Sequence, residues 1–140
     1  MFKLVKSTNG RINTSEPRFI TLKTGLTAAI KAHTPIIVAA GVATAVTADS
    51  TAKATHMLWK DAASGETSIW VIDLSPEMVF ECPLTADVSA AVGAYTEVAI
   101  TANGTAGTAP ASGKVGAILY DTIPAGAAEG DPVRVFFKGL

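Results

Sequence analysis

Apolar positions in this chain come in short runs broken by Gly, Pro, Asn and Ala, and none keeps a helical spacing for long. Ile36-Ile37-Val38 and the stretch from Val42 to Thr47 are β-branched runs punctuated by Gly41. They predict two short strands, or one strand carrying a bulge. The clearest local pattern pairs His56-Met57-Leu58-Trp59-Lys60 with Thr67-Ser68-Ile69-Trp70-Val71-Ile72-Asp73 across a polar stretch that contains Ser64-Gly65. This reads as a β-hairpin with Trp59 and Trp70 as candidates for a cross-strand aromatic contact. Further strands fit Arg18 to Lys23, Met78 to Cys82, Thr96 to Thr101, Val115 to Asp121 and Val133 to Phe137, with Asn103-Gly104 marking a turn. Between Thr24 and Ala32, Leu26 and Ile30 stand four apart, which fits a short helix or a turn that Pro35 soon ends. Many short strands and no long amphipathic helix predict an all-β fold, a compact antiparallel β-barrel or β-sandwich.

Residues Met1 to Pro17 are polar, rich in turn formers and without a periodic apolar face. They read as an extended N-terminal arm, residues 1–17, that orders on contact with a partner, ahead of a β-domain over residues 18–140. Charge sharpens this division. Six basic residues against the single acid Glu16 give +5 from Met1 to Lys31, while the remaining residues carry −6. A basic arm on an acidic body points to docking on an acidic protein surface or on a neighbouring copy. Nucleic acid is not expected, because the basic segment from Met1 to Lys31 has only Phe2 and Phe19 as aromatics and no recognition motif. Ala, Thr and Gly fill 54 of 140 positions, and charged residues make up only 16%. With a mean hydropathy of +0.36, this composition excludes ordinary disorder. A sparsely charged surface and a net charge of −1 instead favour association with other chains.

Signatures of chemistry are missing. Gly113-Lys114 lacks the flanking Gly and Ser/Thr of a phosphate-cradling loop, and neither Ser64-Gly65 nor Ser112-Gly113 forms a nucleophile elbow. His33 and His56 are not at ligand spacing, so no metal is expected, and no cofactor or catalytic residue either. Cys82 reads as a small buried hydrophobe, and His56 as a strand residue making a hydrogen bond. Asp49, Asp61, Asp73 and Asp87 stand near predicted strand ends or in loops, where carboxylates commonly cap turns, and do not pair for acid–base chemistry. A lone cysteine excludes an intrachain disulfide. The polar Ser7-Thr8-Asn9-Gly10-Arg11 stands where a signal peptide needs an apolar stretch, and the run from Ala32 to Ala48 is too short and too broken for a membrane span. The expectation is synthesis in a reducing cytoplasm and no membrane partner. Without a secretory signal, Asn13-Thr14-Ser15 and Asn103-Gly104-Thr105 are chance matches to the glycosylation pattern.

Phe80-Glu81-Cys82-Pro83-Leu84-Thr85-Ala86-Asp87, followed by Gly93, and Gly130-Asp131-Pro132-Val133-Arg134-Val135 within the stretch from Gly126 resemble the head decoration, or cement, proteins of tailed bacteriophages. The likeness covers Met78 to the end and extends to the first half only in general character. It implies a compact β-domain with an N-terminal arm, a homotrimer bound to the major capsid protein. The implied location is the outer surface of the head, at local three-fold positions of the expanded shell. In that role the protein stabilises the capsid against internal DNA pressure and is not an enzyme. On this reading Lys3, Lys6, Arg11 and Arg18 are the capsid-binding cations of the arm. Phe136, Phe137 and Leu140, an apolar end that would be a liability on a monomer, form the subunit interface. Two other readings stay open: a small β-sandwich module binding a ligand or glycan through Trp59 or Trp70, and a structural component of the tail or baseplate.

Overall fold

The computed structural model describes residues 1–7, 16–75 and 78–137, with backbone only at Lys6 and Ser7. Its described residues contain no helix, and two five-stranded antiparallel sheets make up the fold. The first sheet runs β1 (Lys3–Ser7), β7 (Met78–Pro83), β12 (Pro132–Phe136), β11 (Ala117–Leu119), β8 (Glu97–Val98). The second runs β2 (Arg18–Thr21), β6 (Ser68–Asp73), β5 (His56–Leu58), β3 (Pro35–Ala39), β4 (Val42–Ala45). A small hairpin of β9 (Ile100–Thr101) and β10 (Gly104–Thr105), closed by the turn expected at Asn103-Gly104, forms its own two-stranded ladder against the end of β7. Each sheet has two edges, β1 and β8 in one and β2 and β4 in the other, so the fold is a sandwich and not a closed barrel.

Pairing of the strands explains the sequence pattern. Strand β6 buries Ile69 and Val71 on one face and Ile72 on the other, and β5 likewise divides Met57 from Leu58. Buried on both sides, these central strands read as continuous apolar runs instead of alternating ones. Met57 and Ile72 join Phe80, Leu119, Val135 and Val98 of the first sheet in the main core between the sheets. On its other face the second sheet buries Ile36, Leu58, Ile69 and Val71 under Leu22, Leu26 and Ala62. The segment after β2 is a turn structure, not a helix. It is tied down by Leu26 N–H to Glu66 O at 3.0 Å and by reciprocal bonds of 2.9 Å between Ile30 and Ala62.

The first seven residues differ from the expected arm. Strand β1 pairs antiparallel with β7, Lys3 opposite Glu81 and Leu4 opposite Phe80, with a register shift between Leu4 and Lys6. Phe2 is fully buried, its ring 5.8 Å from that of Phe137, and its N–H donates to His33 O at 3.0 Å. The buried Phe2 ring, Leu4 packed against the core and the backbone groups that β7 offers draw this segment into the sheet, and four of its seven residues are apolar. Residues 8–15 of the expected arm lie outside the described residues.

Candidate functional site

Strand β2 is the edge of the second sheet, and its alternating side chains reach both faces. On one face Phe19, 55% exposed, sits directly opposite Trp70 with ring centroids 4.0 Å apart. Lys60 places its Nζ 5.0 Å from the Trp70 ring centre, so the indole carries both an aromatic neighbour and a cation. Trp59 lies across the hairpin from Trp70 and donates its N–H to Trp70 O at 2.9 Å. The hairpin is as expected, but the aromatic partners are not. Trp59 meets His33 edge-on at 5.1 Å, and Trp70 takes Phe19 from the neighbouring strand.

Beneath the opposite face runs a polar chain across the sheet. Arg18 grips Asp73 with two bonds, Nη2 to Oδ1 at 2.9 Å and Nε to Oδ2 at 3.2 Å. Asp73 Oδ1 also lies 3.0 Å from His56 Nε2. His56 Nδ1 in turn stands 2.7 Å from Thr55 Oγ1, which accepts the Val38 N–H at 2.9 Å. The Arg18 bonds hold the Asp73 carboxyl below its ordinary range and push the guanidinium up. Burial lowers the His56 imidazole, against the opposing pull of Asp73. Because Arg18 and Asp73 are both more than half exposed, their pair positions the strand more than it stabilises the fold.

The predicted arm cations separate. Lys3 projects from β1 and is exposed, while Arg18 is committed to Asp73. Arg11 and the Lys6 side chain lie outside the described residues, as does Leu140. The apolar end also divides. Phe137 is only 3% exposed and packs against Phe2 and Phe80, at 5.8 and 5.7 Å, so its burial is supplied within the chain and needs no second subunit. Phe136 points to the other face of its sheet and is half-buried against Tyr95, centroids 6.4 Å apart. Tyr95 itself is 70% exposed and holds a left-handed φ of 64°. It escaped the sequence reading because it sits in a stretch of small residues with no apolar period.

Cys82 is buried, as expected, and burial pushes its thiol up to about 12. Such a thiol stays protonated and is a poor nucleophile. Asp61 accepts the Ala32 N–H at 2.7 Å and Asp87 the Glu129 N–H at 2.8 Å, loop roles of the kind expected for both. An open cleft of about 410 Å³ lies among Glu81, Asp121, Asp131 and Arg134, with Arg134 bound to Asp121. A smaller apolar pocket of about 260 Å³ lies among Phe2, Leu4, His33 and Trp59. Among the described residues, no three of His, Cys, Asp and Glu are grouped to hold a metal ion. No protein-family model matches this chain, and neither does any curated protein.

Proposed function

We propose that the protein is a non-enzymatic virion structural protein, a decoration protein that binds the outside of the expanded phage head and strengthens the shell. On this reading it docks as a trimer on the major capsid protein at local three-fold positions. The observation that supports it best is edge strand β2, which follows the basic N-terminal segment and presents Phe19 at 55% exposure beside Trp70. An edge strand offers backbone donors and acceptors to an extended partner segment, and an exposed aromatic beside it supplies an anchor. Exposed Tyr95, with half-buried Phe136 beside it, provides a second aromatic pair on the outer side of the first sheet, suited to contact between subunits. The resemblance carried by the stretch from Phe80 and by Gly130 to Val135 gives this general docking surface its particular partner.

Light-scattering mass, followed by co-sedimentation with expanded and unexpanded empty heads, tests the proposal. A trimer of about 43 kDa that sediments with expanded heads and not with unexpanded ones is the expected result. A monomer that stays in the supernatant with both would overturn it, and binding to tails alone would move the protein to the tail or baseplate. The Phe19–Trp70 pair with Lys60 above it favours one second reading, a ligand-binding module that stacks a sugar or similar ring. That reading predicts a change of tryptophan fluorescence with oligosaccharide, lost in Phe19→Ala.

A further inference from the structure

We infer that protonation of His56 unfastens edge strand β2, making the start of that strand a pH-sensitive element of the sandwich. The inference rests on the polar chain across the second sheet and is independent of the capsid reading. Asp73 Oδ1 serves two donors at once, Arg18 Nη2 at 2.9 Å and His56 Nε2 at 3.0 Å. A carboxylate only accepts, so the neutral imidazole carries its proton on Nε2, and Nδ1 accepts the Thr55 hydroxyl at 2.7 Å. When Nδ1 gains a proton, this last bond must reverse. Thr55 Oγ1 then accepts from Nδ1 as well as from the Val38 N–H at 2.9 Å, and its own proton is left with Ile36 O at 3.5 Å. That distance is at the outer limit of a hydrogen bond, so the chain is tightest when His56 is neutral.

Charge acts in the same direction. The new cation on His56, whose side chain is 15% exposed, competes with Arg18 for the same carboxylate oxygen and repels the guanidinium. Arg18 is the partner that can leave, because its side chain is 55% exposed and water can replace Asp73. The charged groups facing His56 are Asp73 from β6 and Arg18 from β2, while β3 presents Ile36 and the Val38 N–H, which do not titrate. Strand β2 is four residues long and pairs along its described length with β6 alone, so its first residue is held by its pairing with Val71 and by this side-chain bond. Release of Arg18 therefore frees the strand at the end where the basic segment enters.

Hydrogen exchange of the backbone amides, followed by NMR alongside the His56 ring signals on the whole chain, tests this directly. Between about pH 8 and pH 5, exchange at Arg18 and Ile20, whose N–H groups face β6 in the ladder, should rise severalfold beyond its intrinsic pH dependence, with the midpoint of His56 titration. Val79 and Phe80 in the first sheet should not follow. In His56→Gln, which keeps a neutral donor toward Asp73, the rise should vanish. Unchanged protection of β2 while His56 titrates, a midpoint different from that of His56, or the same rise in His56→Gln would each overturn the inference. Because the wild-type midpoints decide the matter alone, the test survives a variant that fails to fold.

Discussion

Phe137 stands where two chain ends meet the core, with the rings of Phe2 and Phe80 against it. Truncating a fully packed aromatic removes its transfer free energy and leaves a cavity that the sandwich can close only in part. Phe137→Ala should therefore destabilise the fold by about 3–5 kcal/mol without changing the mass in solution, as read by urea unfolding and light scattering. Phe136→Ala should do the reverse, with little effect on unfolding and a shift toward smaller particles if Phe136 and Tyr95 form a subunit contact. Acid should weaken the fold through a different group. His56 titrates lower in the folded chain than its ordinary 6.5, so the folded state binds fewer protons and its stability falls as pH drops below that value. Asp73 is also depressed, from an ordinary 3.8, and adds a second loss as pH falls below that value. Thermal melts between about pH 8 and 5 should show the first loss, and His56→Gln should remove it. At this scale the sequence disclosed Cys82 and the hydrogen-bonded role of His56, since both follow from residue type. It did not disclose which neighbour covers Phe137, Trp59 or Trp70, because those contacts come from strands far away along the chain.

Among the elements, the strands that carry β-branched or aromatic runs were legible, namely β2 to β7, β11 and β12, with ends displaced by a residue or two. The turn at Asn103-Gly104 was legible as well, and its glycine is obligatory. Gly104 has φ of +137°, and a Cβ there would lie 2.1 Å from Pro83 O, so Gly104→Ala must move the backbone of β7 or the small hairpin. Its expected loss is more than about 1–3 kcal/mol, read by thermal or urea unfolding. Strand β1 was missed because Phe2, Leu4 and Val5 form too short an apolar set to stand out beside the polar stretch that follows, and their pairing is with β7, far along the chain. Its consequence reverses a natural expectation for a terminal segment. Removing residues 1–17 takes away β1 and the buried Phe2 ring, and so should lower the melting temperature sharply. Equal stability of the 1–17 deletion and the full chain would contradict the place of β1 in the first sheet.

For the whole molecule, the described residues form two sheets with two edge strands each, carry exposed aromatics at Phe19 and Tyr95, and bear few charges, a surface suited to association. Its division into a basic first segment and an acidic remainder gives any assembly on an acidic shell an orientation and a salt dependence. On the proposed function, strengthening a capsid then needs no unusually strong single contact. A protein that binds the closed shell but not its opened state stabilises the closed state by RT ln(1 + [L]/Kd). At a free concentration one hundred times Kd this amounts to about 2.7 kcal/mol per site. Repeated over many equivalent sites, such increments raise the temperature at which filled heads release their DNA. Undecorated heads titrated with the protein should therefore release DNA at temperatures that climb with free concentration and level off once the sites are full. The climb should shrink at high salt, where the basic segment is screened. Phe19→Ala should require more protein to reach the same plateau, because it removes an anchor and leaves the sheet intact. A release temperature that ignores added protein, although co-sedimentation shows the sites occupied, would separate binding from strengthening and refute the mechanical half of the proposal.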